Sequence, residues 1–316
     1  MGDAAAKGRV SPAIIVMLQG PMVRSTYEKR VARQLLLILS PSLLLLCAFV
    51  IYPAVYSVYL SFTNEALTGA AALNPRFVGL RNYSRLLHDA KFWNSLLVTF
   101  FFVVGSAIIG QIVLGLISAI LLRRNLAFKK LFSSIILLPN AAPEVVAGFM
   151  WISMLAGGEN ATLSRIVMFF GMTPTDWLQT FPLTMIIVVN TWRGIATAMI
   201  LLTAGLSTIP QEVYEAARMD GANPSQIFRR ITLPLMMPTI LLYMLISAVS
   251  TIAVFGLVYA LTRGGPGGAT EVISIYIYNQ SFTAFQLGYG AAVAVVALVI
   301  SLVLGIAYVR AMKVQV

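Results

Sequence analysis

The sequence is poor in charge. Of its 316 residues only 10% are Asp, Glu, Lys or Arg, while 59% are hydrophobic. A soluble domain carries about 25% charge and about 45–50% apolar residues. A chain this short of charge could not cover itself with polar surface, so its natural solvent is lipid. Acid is scarcest: 11 Asp and Glu stand against 22 Lys and Arg, a formal net charge of +11. Such an excess can signal nucleic acid. Here the basic residues lie between long apolar runs and not along one solvated face, so no nucleic-acid partner is implied. The single cysteine, Cys47, lies inside an apolar run and can form no disulfide within the chain. The single histidine, His88, sits beside Asp89 with no metal-ligand spacing around it and is expected at the surface. No catalytic constellation appears, and no G-x-x-x-x-G-K-[ST] phosphate loop occurs, so the chain cannot itself be an ATPase.

What the sequence has in plenty is apolar runs. A helix needs about 20 apolar residues to cross roughly 30 Å of hydrocarbon. Six stretches qualify: 35–62, 95–122, 131–155, 182–206, 236–261 and 288–309. The expected fold class is therefore an all-α integral membrane protein of about six transmembrane helices. The prolines and glycines inside the stretches, Pro139 and Pro143 among them, are compatible with helix where neighbours satisfy the freed backbone groups. Residues 1–33 read as a cytoplasmic leader, because their short apolar stretch is interrupted by Gln19, Gly20 and Pro21 and followed by charge. Residues 34–316 form the transmembrane domain.

The leader, the second-to-third connection, the fourth-to-fifth connection and the tail together hold fifteen Lys and Arg, and the opposite connections hold six. The richer side is expected to be cytoplasmic, which puts both termini there.

The connection over about 208–235 is the most informative segment. Pro210, Gln211, Glu212 and Glu215 suit a helix start, and Gly221 suits its left-handed end. Asn223 can cap a second helix with Pro224 at its first position, and Leu233-Pro234 is expected to break that helix before the fifth span. The small apolar faces at Val213, Ala217, Ile227 and Phe228 suit docking into a partner protein or lying on lipid. Within the fourth span, Asn190, Arg193, Gly194 and Thr197 share one helical face. With Tyr243, Ser247 and Thr251 of the fifth span and Trp192, they offer hydrogen bonds and stacking surface to a hydroxylated ligand. Interhelical bonding, with Arg193 snorkelling outward, is the alternative. Glu144, after Pro143, is expected to be structural, satisfying freed backbone donors or pairing with Arg193.

The string Glu215-Ala216-Ala217, Asp220-Gly221-Ala222, Phe228, Ile231, Leu233-Pro234 and Pro238 resembles the EAA loop of the permease subunits of bacterial ABC importers. Its D-G-A and I-x-L-P version is similar to the carbohydrate branch, the group containing the larger maltose-permease subunit. Phe77-Val78-Gly79-Leu80-Arg81-Asn82-Tyr83, Leu138-Pro139 with Trp151, and Thr262-Arg263-Gly264-Gly265-Pro266 resemble other segments of that branch. The likeness covers roughly 35–310. It departs in one respect, a short first external connection of about 63–94.

The resemblance implies a type I ABC importer permease fold in the bacterial inner membrane. Glu215, Ala216, Ala217, Asp220, Gly221, Ala222 and Phe228 would couple to the ATPase. Asn190, Arg193, Gly194, Thr197, Tyr243, Ser247 and Thr251 would line the solute path. The implied partners are a second permease, two ATPase subunits that hold ATP and Mg, and an extracytoplasmic solute-binding protein. No cofactor is expected on this chain. The expected solute is a sugar, an oligosaccharide or a related compound, with Arg193 leaving an acidic one open, alginate-like or glycerol phosphate. A secondary transporter or channel would need an ion-coupling set or pore filter, of which only the isolated Glu144 and Arg193 are present.

In a Cys47→Ala background, a cysteine at Asn125 or Ser225 should label only from the cytoplasm, and one at Asn82 or Gly268 only from outside. Labelling of Asn82 and Ser225 from the same side would contradict the span count.

Overall fold

The computed structural model describes residues 21–123, 128–158, 161–171 and 173–313. The described residues are almost wholly helical. They divide into two compact units that part between Tyr56 and Ser57. Most of the expected leader, 1–20, lies outside the described residues, and from Pro21 the backbone is helical. This helix continues into the first apolar span, α1 (Leu37–Ser61), whose most apolar stretch has no buried residue.

The second unit is a helical bundle. Its long helices are α2 (Ala90–Arg123), α5 (Pro182–Ser207), α7 (Pro224–Ile252) and α10 (Leu287–Lys313). Between α2 and α5 lie α3 (Lys129–Ala141) and α4 (Glu144–Leu155). Shorter pieces are α6 (Gln211–Met219), α8 (Gly256–Leu261) and α9 (Ile273–Tyr278).

Three expectations need correction. The third span is not one straight helix, because α3 and α4 meet at a bend of 107°. Pro143 has no N–H to continue the ladder, and it pushes Ala142 into an extended conformation (ψ 128°). The fifth span does not run to Leu261. It ends at Ile252, and the chain turns at 253–255 so that α8 can pack on α4. There a Cβ on Gly148 would lie 2.5 Å from Ala260 Cβ, so only glycine allows the approach. Finally, Leu233-Pro234 does not break the helix. Helical backbone is continuous from Pro224 to Ile252, with one wide π-helical stretch at Phe228–Thr232. Widening the turn just before Pro234 relieves the clash of its ring with the preceding carbonyl.

The bundle is held by close contact and by apolar packing. Lipid gives helices little hydrophobic reason to associate, so small residues and good packing must supply it. Along α2 and α5 the backbones come so near that a Cβ on Gly115 would sit 2.3 Å from Ala198 Cβ. One core cluster joins Ile112 and Ala119 of α2 to Leu202 and Leu206 of α5 and Met236 and Ile240 of α7. A second joins Phe102, Ile186, Val189, Leu257 and Ile275.

At the end away from α6, Asp89 caps the start of α2 through Lys91 N–H and accepts hydrogen bonds from the Tyr276 and Tyr289 hydroxyls at 2.5 and 2.8 Å. Burial raises the Asp89 pKa. The bonds from the two tyrosines and from the backbone of Lys91 and Phe92 outweigh it and hold the carboxyl below its ordinary value. His88 is exposed, as expected, and its Nδ1 lies against Ser84 O.

Replacing Gly115 by Leu should push α2 and α5 apart, with a loss of about 1–3 kcal/mol. The readout is thermal unfolding of the purified protein in detergent. An unchanged midpoint would show that the close approach does not matter.

Candidate functional site

Halfway along α5 the chain must bury polar groups among apolar helices, and it does so with a bonded knot. Gln111 is only 4% exposed, yet it sits inside an apolar span. Its Nε2 donates to the backbone carbonyl of Asn190 (3.0 Å). Its Oε1 accepts from the Tyr243 hydroxyl (2.7 Å) and from Ser247 Oγ (2.5 Å). Tyr243 also reaches the carbonyl of Gly194 (3.1 Å). One carboxamide therefore ties α2, α5 and α7 together. Gly194 is required beside it, since a Cβ there would lie 2.1 Å from the Gln111 side-chain carbon. Asn190 Nδ2 in turn donates to Ser106 Oγ (2.8 Å) and approaches Thr251 Oγ1 (3.4 Å). The π-helical stretch Val103–Gly110 precedes Gln111, and its wider turns shift the phase of α2 so that Ser106 and Gln111 both meet α5.

Beside the knot is a cavity of about 180 Å³. All seven residues expected along a solute path, Asn190, Arg193, Gly194, Thr197, Tyr243, Ser247 and Thr251, line it. So do Gln111, Asn140, Glu144 and Ser250, of which sequence reasoning had singled out only Glu144. Trp192 is not in the wall: it packs edge-on against Trp151, with centroids 5.5 Å apart, inside the apolar core. Arg193 Nη1 and Glu144 Oε1 are 3.1 Å apart and join α5 to the start of α4. The two side chains are 19% and 37% exposed, so the pair borders the cavity. Arg193 therefore does not snorkel outward. Its Nε is buried and has no hydrogen-bond partner among the described residues. Glu144 can hold its place because Pro143 starts the helix there and frees the first turn. The lining carries one positive and one negative group.

The loop lies at the end of the bundle reached by Arg123 and Ser207. α6 is closed beyond its Asp220 C-cap by Gly221 (φ +76°), the left-handed position that glycine takes without strain. Asn223 Oδ1 accepts from Gln226 N–H (2.9 Å), and Gln226 Oε1 accepts from Asn223 N–H (2.8 Å), a complete capping box. Glu215, Ala216, Asp220 and Gly221 are exposed. Ala222 and Phe228 are half-buried, and Ala217 is buried. Met219, at the tip, is 89% exposed.

The family of binding-protein-dependent transport system inner membrane components matches residues 111–312. The chain belongs to that family. It is a permease subunit of an ABC importer, and the channel and secondary-transporter alternatives fall away. This permease subunit is 32% identical over 289 residues to the trehalose/maltose transport system permease protein of Thermococcus litoralis, covering 90% of this chain and 96% of that one. It is 32% identical over 270 residues to the sn-glycerol-3-phosphate transport system permease protein of Agrobacterium fabrum, covering 85% and 90%. Its fold matches a chain of the bacterial alginate ABC transporter crystallised with an alginate pentasaccharide-bound periplasmic protein. There the TM-score is 0.73 at 22% identity, over 89% of this chain and 94% of the other. The broken α3–α4 span and the offset end of α7 thus belong to a multi-pass membrane subunit, not to a soluble helical bundle.

Gln111 escaped sequence reasoning because a lone amide in an apolar run looks like many others. The available signal was that a polar residue at mid-span must find a partner. In this permease subunit, Gln111→Leu should leave Tyr243, Ser247 and the Asn190 carbonyl without their partner. Unfolding in detergent should shift by about 1–2 kcal/mol, near the upper range for bonds between membrane helices. Gln111→Glu keeps the acceptor for both hydroxyls and should lose less. Equal stability of the two variants would mean that the knot is not a structural tie.

Proposed function

We propose that this subunit forms, with a second permease subunit, the translocation path for a sugar, oligosaccharide or related hydroxylated solute, and that the cavity beside Gln111 is where the solute passes. The observation that carries the proposal is the composition of the wall. Hydroxyl and amide groups of Asn190, Thr197, Tyr243, Ser247 and Thr251 meet an ion pair whose two charges cancel. An array of donors and acceptors with no net charge suits a ligand made of hydroxyl groups. Cancellation of Arg193 by Glu144 favours a neutral solute over an acidic one of the alginate or glycerol phosphate type. The relatives named above include both kinds.

In this proposal the chain is not an enzyme and holds no cofactor. The chain sits in the inner membrane with both termini in the cytoplasm, and ATP and Mg belong to two ATPase subunits on that side. An extracytoplasmic solute-binding protein delivers the solute. Glu215, Ala216, Ala217, Asp220, Gly221, Ala222 and Phe228 make the surface that follows the ATPase as it closes. Because the capped second helix is continuous with α7, a displacement of the loop reaches Tyr243 and Ser247 through one rigid rod.

Two experiments test this. Gly221→Val places a β-branched side chain at a positive φ and shifts the turn. The complex should assemble while uptake and solute-stimulated ATP hydrolysis both fall, and normal transport would remove the docking role. For the ion pair, Arg193→Ala leaves Glu144 uncompensated and should lower the yield of assembled complex. Adding Glu144→Gln should partly restore it. Wild-type yield and transport by Arg193→Ala would show that neither the fold nor the path uses the pair.

A further inference from the structure

A second groove lies apart from the cavity beside Gln111. It measures about 490 Å³ and lies between the loop and the ends of α2 and α5. Its apolar lining includes Ile120 of α2, Leu206 of α5 and Ile227 of α7, and Arg123, Tyr214 and Arg218 line it too. Arg123 is in the last turn of the second span, beside the groove. The Arg123 guanidinium lies over the Tyr214 ring, 4.5 Å from its centroid, which fixes where it points. Arg218 is four residues beyond Tyr214 on the same face of α6.

Among the described residues no Asp or Glu lines the groove. Glu215, on the same helix, accepts from Gln211 at 2.9 Å. Among the described residues neither Arg123 nor Arg218 has a salt bridge. Two guanidinium groups thus line an apolar trough at the end of the second span with no ion pair among the described residues. Like charges gathered in this way favour an anion, and planar guanidinium suits phosphate oxygens. The apolar lining asks for carbon next to that anion.

We propose that the groove binds the headgroup of an anionic phospholipid from the leaflet on the loop's side, with its phosphate at Arg123 and Arg218 and its glycerol and first acyl carbons over Ile120, Leu206 and Ile227. The site is separate from the solute path. A lipid seated there touches α2, α6 and α7 together, so it braces the loop against the spans it moves.

The test uses the intact complex of this chain with its partner subunits, purified in non-ionic detergent. Native mass spectrometry follows phosphatidylglycerol titrated into the complex, with phosphatidylcholine as control and millimolar inorganic phosphate as competitor. Wild type should retain one more phosphatidylglycerol per copy of this chain than Arg123→Ala/Arg218→Ala does. At about 1 kcal/mol for each basic residue near a membrane surface, the affinity of that site should fall roughly 30-fold. Equal retention by the two complexes, or equal retention of phosphatidylcholine, overturns the proposal. Displacement by inorganic phosphate overturns the lipid assignment and makes the groove a pocket for free phosphate. A second measurement stands even if the double variant does not assemble. Phosphatidylglycerol carrying a photoreactive headgroup should crosslink to wild-type residues 211–232, and crosslinks only elsewhere would overturn the site.

Discussion

Polar groups inside a membrane must find partners in the protein, and the rest of this structure follows from how one buried carboxamide meets that demand. Gln111 satisfies the Asn190 carbonyl, the Tyr243 hydroxyl and the Ser247 hydroxyl at once, and so fixes the mutual rotation of α2, α5 and α7. Once those rotations are set, the faces carrying Asn190, Arg193, Thr197 and Thr251 point into a shared space. The glycines at 115 and 194 are consequences of the same constraint, since the three helices could not come close enough with side chains there. Apolar packing holds the bundle together but does not choose its register. Leucines and isoleucines accept many rotations in lipid, and a hydrogen-bonded knot accepts one.

That arrangement has a mechanical counterpart. α7 begins in the loop at the Asn223 cap and reaches the knot at Tyr243 without interruption, a distance of roughly 30 Å at 1.5 Å per residue. The wide turn at Phe228–Thr232 keeps the rod continuous past Pro234. The ion pair of Arg193 with Glu144 does the equivalent on the other wall, linking α5 to the bent α3–α4 span. In the proposed coupling, a movement of the loop would act on two walls of one cavity. The capping box and the left-handed Gly221 make the loop stiff enough to transmit it.

Much of this was legible in the sequence, for reasons that differ from element to element. Long apolar runs announced the spans, since length and composition are what hydrocarbon thickness selects. The i, i+3, i+4, i+7 spacing from Asn190 to Thr197 put one face of α5 in the cavity wall. The loop helices were readable from Gly221, Asn223 and Pro224, whose backbone preferences act locally. What stayed hidden was decided at a distance. Whether Pro143 breaks a helix or merely kinks it depends on how α8 packs on α4, and nothing local says that Ile252 ends α7. Pro234 was expected to stop a helix, and a π-helical stretch absorbed it instead. Gln111 lacked a local signature because its three partners come from two other helices. Trp192 carried the chemistry of a stacking surface but faces Trp151 in the core.

The central claim is that the space ringed by Asn190, Arg193 and Ser247 is the path of the solute and that the loop controls access to it. The most direct measurement places a cysteine at Thr197, on the cavity wall, in a Cys47→Ala background. The rate of its modification by a small hydrophilic thiol reagent is then followed in the complete complex in sealed vesicles. Adding ATP together with the loaded solute-binding protein should change the side from which Thr197→Cys is reached and slow its labelling while solute is bound. A labelling rate that is the same in every state, from one side only, would contradict the account.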